Sequence, residues 1–446
     1  MDQLMRSVSG IRGIVGTSLT PLTLMEYLNG FLKLTSAKKI VLGRDSRPTG
    51  PLIEDLICAG CAAAGVEVIK LGLATTPTVE WMVPLLKADG GIIITASHNP
   101  IEWNALKFLD HEGLFLRGHQ VEELFKLVDG KIFSWASYNQ LGTVTEENGG
   151  DLSHIQGILN LKYLQPKLIR SKKFKVVYDA VNGAGSHIIP ALLKELGCEV
   201  ICIHCTPNGV FPRGAEPTPE NLAILGQNVL KEGAAVGFAT DPDGDRLALV
   251  DEQGKPLGEE YTLALVAELI LRHNKGPVTI NLSTSRMLED IAQKHGVSCY
   301  RAKVGEINVT EKMLQNKSVI GGEGNGGVIL PDLHYGRDGV LGVALILQLL
   351  AEDMQNLSQL AANITPYVMV KTKIPLAGQK LSDLYSHLQT KFLDAQVNTD
   401  DGLHLSWKKS WVHIRASNTE PIIRVMAEAP TQKEASDLCD AIAQGM

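Results

Sequence analysis

The stretch that decides the reading is AVGFATDPDGDR, residues 235–246. An apolar, β-prone run ends abruptly in Asp241-Pro242-Asp243-Gly244-Asp245-Arg246. Three carboxylates at alternate positions repel one another unless a cation sits among them, and Pro242 and Gly244 bend the chain so that they can converge. All-oxygen ligation points to Mg²⁺ or Ca²⁺ rather than zinc. An EF-hand loop is excluded on two counts: Arg246 stands where that loop requires glycine, and a strand rather than a helix leads in.

Working outward, the same plan recurs. KFKVVYDA, GSHIIPALLKELG and CEVICIHC precede the acidic loop as strand, helix and strand. KIVLGR, GPLIEDLICAGCAAAG and VEVIKLG lead in the same order to GGIIITASHNP (90–100), and PVTINLS, SRMLEDIAQKHG and VSCYRAKVG lead to SVIGGEGNGG (318–327). Strand–helix–strand with about a dozen helical residues between strands is the parallel βαβ signal. Three related α/β domains with mixed, mostly parallel sheets are expected, each donating a loop from the C-terminal end of a strand, where open α/β sheets bind ligands. The remainder differs. YVMVKTKI, VNTDDGLHLSW, WVHIRAS and IIRVMAEA alternate like antiparallel strands, with two helices beside them, which predicts a small α+β domain of four strands. The expected domains are 1–148, 149–252, 253–365 and 366–446, arranged around a central cleft.

Composition agrees. The chain has 446 residues, 44% hydrophobic and 20% charged, enough for several buried cores. A net charge of −7 disfavours nucleic acid or an anionic membrane as partner. The apolar run Val340–Leu350 is too short to span a bilayer. MDQLMRSVSG has no apolar core, which predicts no signal peptide. Seven cysteines suit a reduced, cytoplasmic protein. The pairs Cys58/Cys61 and Cys202/Cys205 are read as free thiols rather than zinc ligands, the second because positions three apart on a strand face opposite ways.

The other loops carry chemistry of their own. Thr95-Ala96-Ser97-His98-Asn99-Pro100 places Ser97 as a nucleophile or phosphate carrier, and no G-x-S-x-G elbow surrounds it. His98 either bonds a phosphate or holds the turn. In Gly321–Gly327 the only side chains are Glu323 and Asn325, which suit sugar hydroxyls; the loop lacks the Gly-Lys-Ser/Thr ending of a nucleotide-binding loop. Arg415-Ala416-Ser417-Asn418-Thr419-Glu420-Pro421, with Arg424 beyond, is rich in donors and fits a phosphate.

Four such loops in this order resemble the α-D-phosphohexomutases across the whole chain, and SGIRG (9–13) resembles that family's N-terminal arginine turn. The resemblance implies a mutase that moves phosphate between O1 and O6 of a hexose, through a phosphoserine enzyme and a 1,6-bisphosphate intermediate or activator. It implies Ser97 as phosphoryl carrier and one Mg²⁺ per chain on Asp241, Asp243 and Asp245, with Ser97 as a further contact. Arg12, Arg246, Lys107 and His98 would serve the transfer; Lys107, its pKa lowered by neighbouring cations, would accept a proton. Glu323 and Asn325 would bind the sugar. Arg415, Ser417, Asn418, Thr419, Arg424 and Lys303 would hold the distal phosphate. Glucosamine phosphate is the favoured substrate, with a mannose/glucose phosphate mutase as the alternative and an Mg²⁺-dependent sugar phosphatase as the distant one. A monomer or homodimer is expected. Many family members carry a histidine where Gly327 stands, so that acid/base role has no occupant in the sequence; His334 is a weak substitute and reads better as structural.

Overall fold

The computed structural model describes residues 4–131, 133–375, 380–416 and 422–444. Four sheets follow one another along the chain. In the first, Lys39–Arg44 lies between Glu67–Leu73 and Gly90–Ile94, all three parallel. Trp103–Leu109 returns antiparallel beside Gly90–Ile94, and Gly10–Ile14 pairs with it in turn. The second and third sheets repeat this logic with four strands each. Lys175–Asp179 lies parallel to Glu199–Ile203 and Val236–Thr240, and Leu247–Val250 returns antiparallel. Val278–Asn281 lies parallel to Cys299–Ala302 and Ile320–Glu323, and Gly327–Ile329 returns antiparallel. Each functional loop therefore sits between a central parallel strand and an antiparallel return, an arrangement that turns all three loops toward one side.

Local chemistry sets the helices. Pro21–Thr35 begins with proline in its first turn, where the missing N–H costs nothing, and Thr20 caps it by accepting from the Thr23 N–H at 3.2 Å. Gly197 and Gly296, with φ of 73° and 72°, end their helices in the left-handed conformation that glycine adopts without strain. The apolar run Val340–Leu350 forms a core helix, Gly339–Asp353, which is buried throughout its first thirteen residues. Gln348 within it accepts from the Gln165 N–H at 2.8 Å and donates to Glu352. That helix carries one core shared by the second and third sheets, so these two units are fused rather than merely adjacent. Each of its fully buried leucines contributes about 1.5–3 kcal/mol. No described helix is long and apolar enough to cross a membrane.

Two expectations need correction. Among the described residues the last sheet has five strands, not four: Gln396–Asn398 and Leu403–Ser406 form a hairpin where a single strand was expected, because Asp400–Gly402 turns the chain and Gly402 takes a φ of 81°. The thiols of Cys202 and Cys205 do not face opposite ways. The strand ends at Ile203, and His204 takes a φ of 49°, which brings the Cys205 thiol back toward the Tyr178 carbonyl, the residue paired with Cys202. All seven cysteines are free.

Candidate active site

The loop after Gly90–Ile94 is built around one arginine. The Arg47 side chain is 0% exposed, and its five side-chain hydrogen bonds bind the loop from beneath. Nη2 donates to the carbonyls of Ser97 and Asn99, both at 2.6 Å; Nη1 donates to those of Pro100 (2.5 Å) and Trp103 (3.0 Å); Nε pairs with Asp45 at 3.1 Å. Asp45 in turn accepts from the Thr95 hydroxyl at 2.6 Å, and the Thr95 oxygen accepts the Ser97 N–H at 2.9 Å. So held, Ser97 takes a φ of 47°, a left-handed conformation that a non-glycine residue adopts only where its surroundings impose it. Its Oγ donates to Asp241 Oδ2 at 2.9 Å.

Asp241, Asp243 and Asp245 are all 0% exposed, and one oxygen from each lies within 4.8 Å of the others. Backbone N–H groups of Gly244 and Arg246 donate to Asp241 Oδ1. Asp243 Oδ2 accepts from Lys107 Nζ at 2.7 Å and Thr76 Oγ1 at 2.9 Å, and Asp245 Oδ2 pairs with Arg337. One oxygen each of Asp243 and Asp245 is left buried with no donor. Burial, then the charges of Asp245 and Asp243, push Asp241 well above the usual carboxylate range. Buried orphan oxygens beside a carboxylate that resists ionisation are what a divalent cation would satisfy, and an all-carboxylate donor set suits Mg²⁺. The residues therefore fit the ion.

Cations surround Ser97. Arg12, on the strand Gly10–Ile14, reaches Asn99 Oδ1 at 2.7 Å. Arg246 donates to Glu216 at 2.8 Å and lies 3.2 Å from His98 Nδ1. His98 is 3.4 Å from Ser97 Oγ; burial and Arg246 hold its ring down at about 4, so it is neutral. Lys107 differs from expectation. Its nearest charges are carboxylates, and against the effect of burial Asp243 and Asp245 raise it above its ordinary value. Its Nζ donates to Asp243 in this geometry.

The sugar loop closes the same cleft. Glu323 accepts from Asn281 Nδ2 (2.7 Å), the Gly305 N–H (2.9 Å) and Arg337 Nη1 (2.6 Å). Two carboxylate oxygens offer about four acceptor positions, so capacity remains for a hydroxyl. Asn325 accepts from the Gly327 N–H at 3.3 Å and lines the cleft. The empty side-chain position at Gly327 has a steric cause: a Cβ there would overlap Arg337 Cδ, whose side chain fills that space. His334 is turned away; Nε2 meets Asp338 at 3.1 Å and Nδ1 accepts the Gly336 N–H at 3.0 Å.

From the fourth sheet, Arg415 and Arg424, paired across adjacent strands, face the cleft, with Arg415 Nε on Asp401 at 3.1 Å. Ser417, Asn418 and Thr419 lie outside the described residues. Lys303 is exposed and precedes Val304, Gly305 and Glu306, which line the cleft. Asn104 bonds Thr49 Oγ1 at 3.0 Å and holds the fold rather than the cleft. The cleft encloses about 340 Å³ and takes side chains from all four sheets' units.

Models of all four parts of one family match in order: the phosphoglucomutase/phosphomannomutase α/β/α domains I (4–134), II (153–254) and III (258–367), and the C-terminal domain (380–445). The chain belongs to the phosphoglucomutase/phosphomannomutase family. It is thus an enzyme of the phosphosugar mutase class, an isomerase. A "Phosphoglucomutase/phosphomannomutase" of Thermococcus kodakarensis is 37% identical over 442 residues, covering 96% of this chain and 95% of that protein. A "Probable phosphoglucosamine mutase" of Methanopyrus kandleri is 33% identical, with 97% and 95% covered. A solved family member from Burkholderia thailandensis superposes with a TM-score of 0.85 at 26% identity, covering 99% of this chain and 97% of that one. The N-acetylphosphoglucosamine mutase of Aspergillus fumigatus, solved with GlcNAc-6P and magnesium, shares the fold at a TM-score of 0.61 and 14% identity, over 99% and 95% of the two chains.

Sequence reasoning missed Arg47, Glu216, Asn281, Glu306 and Arg337. Arg47 had a signal, since Arg44-Asp45-Ser46-Arg47 is a charged run directly after a strand. Arg337 lies in Gly336-Arg337-Asp338-Gly339, where an aspartate cap announces a helix and hides the arginine before it.

Proposed function

We propose that the protein interconverts hexose 6-phosphate and hexose 1-phosphate, with Ser97 as the phosphoryl carrier and glucosamine phosphate as the favoured sugar. The observation that carries this is the pairing of two anion-binding regions in one cleft. One surrounds Ser97 with Arg12, Lys107 and Arg246; the other, on the last sheet, presents Arg415 and Arg424. Between them stand Glu323 and Asn325, which suit hydroxyls. A mutase needs both regions, because the phosphate that does not react must be held while the other moves. A phosphatase needs only the first.

Asp241, Asp243 and Asp245 would hold Mg²⁺, which when bound would neutralise a phosphoserine and draw off charge from the moving phosphoryl group. Phosphorylated Ser97 would offer it a further oxygen. The chain's own residues do the rest. Ser97 gives its phosphoryl group to a sugar hydroxyl, whose proton ends on Ser97 Oγ, beside Asp241. The resulting 1,6-bisphosphate turns over and returns its other phosphate by the reverse exchange. Arg12, Arg246 and Lys107 are fixed donors aimed at the charge on the transferring group, so no reorganisation is needed during the step. Neutral His98 can donate or accept one hydrogen bond there. Arg415 and Arg424, with Ser417, Asn418, Thr419 and, from the neighbouring loop, Lys303, would hold the distal phosphate, whose binding energy aligns the reacting end.

We divide the chain at 148, 252 and 365, a reading supported by the order of the four sheets along it. A monomer or homodimer is the expected assembly, and seven free thiols suit the cytoplasm. The relatives' names divide between glucosamine and mannose/glucose phosphates, which supports the second reading too. Coupled mutase assays on glucosamine, glucose and mannose 6-phosphates, run beside a phosphate-release assay, decide among the three. Faster turnover of glucosamine phosphate with no phosphate release is expected. Release of phosphate without isomerisation would reject the mutase reading.

A further inference from the structure

Beneath the cleft lies a buried acid that the chemistry above does not use. Glu80, in the helix Thr76–Leu85, is 2% exposed, and neither of its carboxylate oxygens receives a hydrogen bond from any described donor. A carboxylate abandoned in this way is among the costliest groups a fold can bury. Its surroundings offer no counter-ion in contact. A Cβ on Gly336 would overlap the Glu80 carboxylate. His334 Nδ1 is 3.8 Å away, but it accepts the Gly336 N–H and has no hydrogen to give. Lys107 and Asp245 act on Glu80 only at longer range. The next carboxyl group along the same stretch is another acid, Glu306: Glu80 lies against Gly336, and the adjacent Arg337 N–H donates to Glu306 at 3.3 Å.

Glu306 opens the helix Glu306–Asn316 and lines the cleft. It accepts from Arg337 twice, from the backbone N–H at 3.3 Å and from Nε at 2.9 Å. Lys107, Asp245 and Glu323 also act on it. Arg337 is the one described side chain that reaches both Asp245 of the acidic loop and Glu323 of the sugar loop.

We propose that Glu80 carries a proton and donates it to Glu306, so that Glu306 stays an anion seated on Arg337 and Arg337 keeps the two loops in register. One proton between two buried carboxyl groups removes the like-charge repulsion and gives Glu80 the partner it lacks. Both titrations favour a proton held by the pair: burial, then Glu306, raises Glu80 well above the carboxylate range, and burial, opposed by Arg337, raises Glu306. A raised carboxyl pKa means a proton bound at neutrality and lost as the pH rises. Once it is lost, two adjacent anions compete for Arg337, and the cleft loosens on the alkaline side. Glu80 is in this account a positioning residue, not a catalytic one.

The activity readout rests on the mutase reading; a spectroscopic one does not. Glu80→Gln supplies a permanent N–H donor in place of the shared proton, and Glu80→Leu supplies none. The infrared difference spectrum of the wild-type protein minus Glu80→Gln, at about pH 7, should show a protonated-carboxyl C=O band that shifts in D₂O. Between about pH 7 and pH 9, kcat/KM of the wild type relative to Glu80→Gln should fall at least about fivefold, and Glu80→Leu should lose about tenfold at neutral pH, the scale of one charged hydrogen bond. Circular dichroism checks that each variant is folded. A difference spectrum with only carboxylate bands overturns the proposal, as does a constant ratio across that pH range. If the wild type turns over no phosphosugar, the mutase reading fails while the spectrum still decides the proton.

Discussion

Replacing Arg47 by lysine tests whether the serine loop is held as the structure indicates. Arg47 makes five side-chain hydrogen bonds, to Asp45 and to the carbonyls of Ser97, Asn99, Pro100 and Trp103. Lysine keeps the charge but has three donors, so at least two acceptors lose their partner. At about 1.5–3 kcal/mol for a charge-assisted bond, the loss is about 3–6 kcal/mol. That is a large part of the stability of a typical domain, about 5–15 kcal/mol. Alanine would remove more, since breaking a buried ion pair alone costs about 3–5 kcal/mol, which makes lysine the cleaner probe. The effect on rate is separate. Ser97 is left-handed because Arg47 pins its carbonyl and that of Asn99 while Thr95 holds its N–H, and a shift of about 1 Å in a reacting group can cost about a hundredfold. Urea unfolding, steady-state kinetics and the phosphate content of Ser97 after incubation with a hexose 1,6-bisphosphate should all change together. Arg117→Lys, at the partly exposed pair with Glu112, is the control and should stay within about 0.5 kcal/mol. If Arg47→Lys unfolds at the wild-type midpoint and retains kcat/KM within about twofold, the loop does not depend on Arg47 and the reasoning is refuted.

Chelation of divalent cations should abolish turnover, with Mg²⁺ restoring it, and Asp243→Asn should be inactive at any Mg²⁺ concentration; full activity in excess chelator removes the metal from the account. Arg415→Ala should lower kcat/KM by about ten- to a hundredfold, the value of one lost charged contact, while Ser97 remains phosphorylatable; unchanged kinetics would detach the last sheet from the cleft. The buried carboxylate of Asp338 accepts from His154 at 2.9 Å and His334 at 3.1 Å, and against the push of burial those two histidines hold its pKa far below the ordinary value. Its stabilising effect is complete above the unfolded pKa of about 4 and is lost as the pH falls through the folded one. His154→Leu should therefore cost about 1.5–3 kcal/mol near neutrality and flatten the dependence of stability on pH below about 4; equal pH dependence in the two proteins contradicts the network.

The fold was readable because its signals are local. Alternating strand and helix segments, the Thr20-Pro21 start and the terminal glycines at 197 and 296 each report on a few adjacent residues. The loops that face the cleft were readable for the same reason, since Asp241–Arg246 and Thr95–Pro100 are dense in side chains with no business inside an apolar strand. What stayed hidden are residues whose meaning depends on distant partners. Arg47 looks like an ordinary charge in the sequence, and its role follows from carbonyls some fifty positions away. Arg337 reaches Asp245, ninety-two positions earlier. The direction of the Lys107 shift was hidden for a related reason: the carboxylate that raises it, Asp243, comes from another unit. Gly327 was puzzling as a missing side chain and becomes intelligible once Arg337 is seen to fill its space.

The most direct test of the central claim is peptide mass spectrometry of the protein after incubation with a hexose 1,6-bisphosphate and Mg²⁺, followed by a chase with hexose 6-phosphate. The account predicts one phosphate on the peptide containing Ser97, discharged by the chase with formation of bisphosphate, and neither event in Ser97→Ala. Phosphate on another residue, or mutase turnover that survives in Ser97→Ala, would contradict it.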